Sequence, residues 1–270
     1  MDGDLTRRLI AADIEEGWEL ALRTTPLIFV NGVEFKGWSA PLALTRVVDQ
    51  LSEKKLVAKT AEADHPMPPL ERYVADWREV HPRTLAPAEH AWPLGPDDAR
   101  LTIVIWGDYQ QPQTALADEI IRAFVAEHSD AQYTFRAYPL DQSCNPAATL
   151  TEYPMACRAA QAALAAGLLG GAESYWKMHD WLLKNQTSFT DDTLRAAVGE
   201  MGLDAGEFFA KLDDSALHDA VLKEAQAGQQ AGLQHSPLMF LNGKVIPRWM
   251  HGQQPLLRPI LDAAARAAEK

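Results

Sequence analysis

Residues 99–140 combine two apolar runs with one helical pattern of apolar positions. The run ARLTIVIWGDY, residues 99–109, predicts a buried strand that ends in a turn, and AQYTFRAYPL, residues 131–140, predicts a second strand. Together they predict a β-α-β unit with parallel strands. Residues 115–129 predict the helix between them, because apolar side chains recur at helical spacing: Leu116, Ile120, Ile121 and Phe124.

A largely helical region follows, from Met155 to about Leu212. Residues 156–171, ACRAAQAALAAGLLGG, predict a helix that ends at its glycines. Residues 190–204 open with Thr190 and two aspartates, as a capped helix does. This order, β-α-β and then helices, predicts an α/β fold with a helical insertion.

The chain also contains an internal repeat. Residues 17–38, GWELALRTTPLIFVNGVEFKGW, align without a gap with residues 228–249, GQQAGLQHSPLMFLNGKVIPRW. Each copy predicts a helix end, a Thr-Pro or Ser-Pro step, an apolar strand, an Asn-Gly hairpin turn, a second strand and a final amphipathic helix. The shared Pro, Asn-Gly and Trp favour duplication over coincidence.

The repeat predicts three parts: a partial unit at 1–52, a Pro-rich linker at 53–92 and a complete domain at 93–270. The linker is rich in proline and predicts an extended connector with one short helix at 71–80. A unit of 52 residues is small for an independent core. Three alternatives stay open: it packs on the complete domain, it joins a partner chain, which predicts a homo-oligomer through residues 1–52, or it is the end of a longer parent.

Composition excludes some functions. The net charge of -12 argues against nucleic acid as a partner, because binding to phosphates needs an excess of Lys and Arg. No apolar run approaches the ~20 residues of a membrane-spanning helix. Residues 1–20 have no apolar core typical of a secretory signal. We therefore expect a cytoplasmic protein if the chain is complete and an extracytoplasmic one if its beginning has been cut away, so the location stays open.

Four stretches in residues 93–270 resemble the DsbA-like branch of the thioredoxin superfamily. The Cys-Asn and Ala-Cys pattern around 144–157 is also similar to thioredoxin-like domains fused to vitamin K epoxide reductase homologues. The resemblance implies a thioredoxin fold with a helical insertion, preceded in residues 1–52 by the C-terminal half of a second such unit. The stretches are PLGPDDARLTIVIWGDYQQPQT, YPLDQSCNPAATLTEYPMACRAAQAA, YWKMHDWLLKNQ and QHSPLMFLNGKVI.

The resemblance implies a Cys-Pro-X-Cys motif at the start of the first long helix of the complete domain, where the helix N-terminus stabilises a thiolate. This sequence has Gln111-Pro112-Gln113-Thr114 there, so both sulfurs are missing. A carboxamide cannot attack a disulfide. We expect no dithiol-disulfide exchange at this turn, which leaves no catalytic residue assigned and the question of enzymatic activity open.

Ser236-Pro237 matches the cis-proline loop of the family, which faces this turn and pairs with extended peptides. Such pairing is made by the main chain and needs no cysteine, so peptide docking by β-augmentation is one prediction. The peptide site would comprise Ser236, Pro237 and Tyr109, with Asp108 beside it. The alternative is that Pro237 only shapes the hairpin.

The two cysteines, Cys144 and Cys157, allow three interpretations: a structural disulfide, a relocated redox pair or two buried thiols. The structural disulfide is favoured in an oxidising environment, because twelve intervening residues offer no local device for lowering a thiol pKa. Histidines such as His179 and His218 lack a second ligand at metal-binding spacing, so we expect no metal and no cofactor.

These observations favour a protein that lacks the catalytic cysteines and binds an extended peptide or a partner protein without redox turnover. Two enzymatic alternatives stay open. The first is a thiol-disulfide oxidoreductase that acts through Cys144 and Cys157 or as part of a longer parent. The second is a non-redox relative of the glutathione-dependent transferases and isomerases, which place a hydroxyl residue at this turn.

Overall fold

The computed structural model describes residues 3–22, 25–54, 65–233 and 235–268. Within them the chain forms helices and short strands in the order of an α/β protein. The helices are α1 (Gly3–Glu19), α2 (Ala43–Glu53), α3 (Pro69–Glu79), α4 (Pro112–Glu127), α5 (Ala156–Lys184), α6 (Asp191–Glu200), α7 (Ala205–Leu212), α8 (Ser215–Gln230) and α9 (Leu257–Ala268). The strands are β1 (Phe29–Val30), β2 (Val33–Glu34), β3 (Leu101–Gly107), β4 (Ala131–Ala137), β5 (Leu238–Leu241), β6 (Lys244–Val245), β7 (Met250–His251) and β8 (Gln254–Pro255).

The chain divides into two compact units. The first comprises Met1–Arg78 with Arg248–Leu256, and the second comprises Glu79–Pro247 with Leu257–Lys270. None of the helices in the part of the chain that the structure describes has the length and apolarity needed to cross a membrane.

The second unit contains a four-stranded sheet with the order β4-β3-β5-β6. Strands β3 and β4 are parallel, whereas β5 is antiparallel to both β3 and β6. The β-α-β unit and its parallel strands were predicted from the apolar runs, and the structure confirms them. The central strands are buried because they carry apolar side chains on both faces, and Ile103, Ile105, Trp106 and Phe240 are at most 1% exposed.

Helices α5 to α8 form the predicted insertion between β4 and β5. Helix α5 continues past the glycines at which the sequence predicts its end, but Gly171 has φ 69° and ψ -161°, so the helix is broken there. Thr190 caps α6 as predicted, and its hydroxyl accepts a hydrogen bond from the backbone N–H of Thr193. Helix α4 packs against α9, while α8 packs against α5 and β4.

The first unit is built around the hairpin of β1 and β2 and the helix α3. The predicted short helix at 71–80 is confirmed by α3, and its Tyr73 and Trp77 are 0% and 7% exposed. An ion-pair cluster holds the unit together: Arg72 and Arg248 both contact Glu34, and Arg248 also pairs with Asp76. The Thr25–Pro26 peptide bond is cis, as is Ser236–Pro237 in the second unit.

Candidate functional site

The site begins at the turn between β3 and α4. Pro112 occupies the first turn of α4, where its fixed φ suits a helix and its missing N–H costs nothing. Gln111 is the N-cap residue with φ -88° and ψ 121°. Its backbone N–H donates to the Asp108 carbonyl at 3.1 Å, and its own carbonyl accepts from the N–H of Thr114 at 3.0 Å. The turn therefore places Gln111 and Thr114 next to each other at the helix start.

The Gln111 carboxamide connects this turn to the loop before β5. Its Nε2 donates to the Ser236 carbonyl at 2.8 Å, and its Oε1 accepts from the Ser236 hydroxyl at 2.8 Å. The Thr114 hydroxyl donates to the same Oε1 at 2.8 Å. Gln111 is only 8% exposed, so these bonds lie in a water-poor environment where leaving them unmade is costly. We call this group of Gln111, Thr114 and Ser236 the amide clamp.

Thr114 is fully buried and completes the turn. Its hydroxyl oxygen accepts from the backbone N–H of Asp108 at 3.2 Å while donating to Gln111. The Thr114 methyl group lies against Gly107, where an added Cβ would come within 2.5 Å of Thr114 Cγ2. A glycine at the end of β3 is therefore required for this close approach.

Asp108 is the buried acid of the site, at 1% exposure. Its Oδ1 accepts from the N–H of Gln110 at 2.7 Å, and its Oδ2 accepts from the N–H of Leu140 at 2.6 Å. Burial disfavours the charged form and raises the pKa of Asp108 from 3.8 to about 7, although these two hydrogen bonds act in the opposite direction. The Asp108 carboxyl group therefore connects the turn to the loop that follows β4.

Two further glutamines fix the turn: Gln186 lies in the helical insertion and Gln110 in the turn itself, and no sequence pattern signals their contacts. Gln186 donates from Nε2 to the carbonyls of Tyr109 and Gln111 at 2.8 and 3.0 Å. Gln110 donates to the Gln186 carbonyl at 3.1 Å and accepts from the N–H of Met155 at 2.9 Å. These four contacts span 45 to 77 positions of the sequence, so only the folded chain brings these residues together.

Tyr109 lies beneath the turn rather than on its surface. It is 2% exposed, and its hydroxyl is 3.0 Å from His179 Nδ1. His179 is fully buried and lies 3.0 Å from Asp118 Oδ1 through its Nε2, while the Tyr133 hydroxyl donates to the same carboxylate oxygen at 2.6 Å. Burial raises the pKa of Tyr109 well above its ordinary value. The Tyr109 side chain is therefore buried beneath the turn, whereas Ser236 and Pro237 are half-buried.

Cys144 and Cys157 form a disulfide, so the predicted pairing is confirmed and the interpretation as two free thiols is wrong. The chain contains two cysteines, so it has no free thiol. Both are buried, at 1% and 6% exposure, and they pack with Ala160 and Val221. The bond joins the loop after β4 to the first turn of α5. Among the described residues, no group of three or more His, Cys, Asp and Glu side chains is arranged to hold a metal ion.

The strand order, the insertion and this turn define a thioredoxin fold with a helical insertion. A family model of the DSBA-like thioredoxin domain matches residues 102–257, and the chain belongs to this family. The fold agrees with BdbD from Bacillus subtilis, with a TM-score of 0.55 and 18% identity over 70% of this chain and 96% of that one. It also agrees with the catalytic domain of ScsC from Proteus mirabilis, with a TM-score of 0.52 and 15% identity over 74% and 98% of the two chains.

Curated relatives are larger proteins. The chain is 27% identical over 150 residues to the Na(+)/H(+) antiporter NhaA 3 of Salinispora tropica, which covers 56% of this chain and 21% of the antiporter. It is 28% identical over 153 residues to the Na(+)/H(+) antiporter NhaA of Herminiimonas arsenicoxydans, covering 56% and 22%. The chain thus matches about a fifth of the length of these relatives.

Proposed function

We propose that this chain is a DsbA-like binding module that holds extended peptide segments without redox turnover. The observation that carries the proposal is the amide clamp: a carboxamide and a hydroxyl occupy the start of α4, where thiol chemistry requires sulfur. Neither group accepts or releases electrons in thiol-disulfide exchange. The remaining cysteines are buried in a disulfide, so no thiolate is available to attack a substrate.

Main-chain recognition is compatible with the clamp. The Ser236 carbonyl accepts one hydrogen bond from Gln111, and a carbonyl oxygen has two lone pairs, so one remains for a peptide N–H. His235 is exposed, and Ser236 and Pro237 are half-buried at the same loop. Gln113 and Pro112 are exposed on the other side of the turn. A peptide that lies along residues 235–237 would therefore meet neutral hydrogen-bonding groups and no reactive atom.

The relatives support a role as an accessory domain. The antiporters named above are about five times as long as the segment that they share with this chain. We infer that the segment shared with these antiporters would dock a polypeptide beside another activity. On this proposal the bound partner is a protein segment in an extended conformation rather than a small cofactor.

Two assays on the full chain test the proposal. Fluorescence anisotropy with a labelled cysteine-free extended peptide is expected to show saturable binding that Pro237→Ala weakens by about tenfold, because the loop geometry that aligns the main chain is lost. Pro247→Ala, at an exposed proline of the same unit, is the matched control and is expected to leave the affinity unchanged.

The second assay measures insulin reduction and the oxidation of a reduced dithiol peptide. No turnover above the uncatalysed rate is expected. Turnover at a rate typical of an oxidoreductase would contradict the non-redox part of the proposal. Absence of binding to every extended peptide tried, with no turnover, would contradict the binding part.

A further inference from the structure

In the part of the chain that the structure describes, strand β1 of the first unit has one edge that no strand covers. Among the described residues it pairs with β2 and with no other strand. The N–H of Phe35 donates to the Ile28 carbonyl at 2.8 Å, and Val30 is the partner of Val33, so Ile28 and Val30 use their backbone groups within the hairpin. Because backbone groups alternate in direction along a strand, those of Leu27 and Phe29 face the open edge.

The second unit shows which element covers the same edge there. Residues 27–30, LIFV, align with 238–241, LMFL, and the two hairpins share their turn geometry, with φ 50° at both Asn31 and Asn242. In the second unit, β3 lies antiparallel against β5 on this edge, from Leu238 opposite Trp106 to Leu241 opposite Ile103. The edge of β1 is therefore built to receive an antiparallel apolar strand.

Apolar exposure is concentrated in the first unit. Of the thirteen large apolar side chains that are exposed among the described residues, eleven belong to this unit. Leu42, just before α2, is 68% exposed, whereas Leu256, just before α9, is 6% exposed. Beside β1 lies a groove of about 350 Å³. Its apolar walls are Pro26, Leu27, Ile28, Phe35 and Trp38.

We propose that a second copy of this chain covers the edge, with the two β1 strands antiparallel across a two-fold axis to form a sheet of the order β2-β1-β1-β2. A strand can pair with an identical strand in the antiparallel sense about such an axis, and each copy then presents the same surface to the other. Antiparallel pairing is also the sense in which β3 covers β5. The edge is short and Pro26 lies at its start, so pairing there is confined to the backbone groups of Leu27 and Phe29, which no lysine or bulge blocks.

Charge permits this contact. The net charge of -12 opposes association of two copies in general. Residues 25–33, TPLIFVNGV, contain no charged side chain, so the paired edges bring no like charges together. A specific interface covers about 800 Å² on each partner, which two short edges alone do not reach. The exposed Val33 and Trp38 and the apolar wall of the groove beside β1 offer additional apolar area next to the edge. The groove is also lined by side chains of both charges, Glu34, Lys36 and Arg248.

The test is the mass of the full chain in solution, by sedimentation equilibrium over a wide concentration range. The mass is expected to rise from 29.8 kDa toward twice that value with increasing concentration. Leu27→Lys places a like charge on both paired edges and is expected to raise the dimer dissociation constant at least about tenfold. Leu168→Lys, at a leucine of the second unit that is 39% exposed, is the matched control and is expected to leave the constant unchanged.

Residue-resolved hydrogen exchange on the unmodified chain gives a readout that does not depend on a variant. The amides of Leu27 and Phe29 are expected to exchange more slowly at high concentration, whereas exchange of Val30, which pairs within the hairpin, stays the same. A monomer at every concentration overturns the proposal. So does a dimer whose Leu27 and Phe29 amides exchange equally at all concentrations, or a folded Leu27→Lys variant that dimerises as tightly as the original chain.

Discussion

The buried carboxyl group of Asp108 makes the stability of the second unit depend on pH, and Asp108→Asn tests this. The group accepts hydrogen bonds from two backbone N–H groups and is 1% exposed. Burial is the largest cause of its raised pKa, about 7 against 3.8. Ionisation of Asp108 is therefore less favourable in the folded state than in the unfolded state, even though two backbone N–H groups donate to the carboxylate.

The direction and size of the effect of Asp108 on the free energy of unfolding follow from its pKa values in the unfolded and folded states. Because the folded state binds the proton more tightly than the unfolded state, this group destabilises the fold as pH rises from 3.8 to about 7, with no further change above that. One pKa unit corresponds to 1.36 kcal/mol, so the full destabilisation is about 4 kcal/mol. Between pH 5 and pH 8 the expected fall in the free energy of unfolding from this group is about 2.5 kcal/mol.

Guanidinium unfolding of the original chain and of Asp108→Asn at matched pH values gives the measurement. Asparagine does not titrate, so the difference in unfolding free energy between the two chains isolates this carboxyl. From pH 5 to pH 8, the original chain is expected to lose about 2.5 kcal/mol of unfolding free energy relative to Asp108→Asn. Asp97→Asn, at an exposed aspartate, is the control. A difference that is constant with pH, or that shifts in favour of the original chain, would refute the assignment of a raised pKa.

Three further changes address the clamp and the disulfide. Gln111→Cys combined with Thr114→Cys is expected to create insulin reductase activity, because the start of α4 stabilises a thiolate. A double variant that folds but is inactive would contradict the expectation that the turn retains the geometry for thiol chemistry. Ser236→Ala removes one donor to the Gln111 amide and is expected to lower the free energy of unfolding in denaturant by about 1 kcal/mol, and an unchanged value would mean that water replaces the hydroxyl. Cys144→Ser with Cys157→Ser opens the disulfide and is expected to cost about 2–4 kcal/mol in the same assay, so an unchanged midpoint would contradict its structural role.

Local patterns were enough to predict the frame of the second unit. The apolar run before Gly107 and the helical spacing of Ile121 and Phe124 predict β3 and α4, because burial on both faces of a strand and on one side of a helix selects those periods. The cap at Thr190 could also be predicted, because it depends only on a hydrogen bond to Thr193, three residues away in the sequence. The break at Gly171 follows from a glycine pair that the sequence marks as a helix end.

Contacts between distant polar residues could not be predicted in this way. Gln186 reaches the turn from the helical insertion, and a glutamine in an irregular segment has no period that signals its partner. Tyr109 illustrates the same limit. Its position beside the turn suggests contact with a ligand, but the fold turns its hydroxyl toward His179, and only the tertiary structure determines that direction.

The amide clamp also shows how this turn is held without sulfur. A thiol is a weak donor and a weak acceptor, whereas the Gln111 carboxamide donates to the Ser236 carbonyl and accepts from two hydroxyl groups at once. The Gln111 side chain thus joins α4 to the loop before β5. The bond to Thr114 is buried and the two bonds to Ser236 are partly buried, so removing Gln111 would leave two hydroxyl groups and a carbonyl without that partner. On the proposal of a non-redox binding module, a turn held by such bonds would present a fixed surface to a bound peptide.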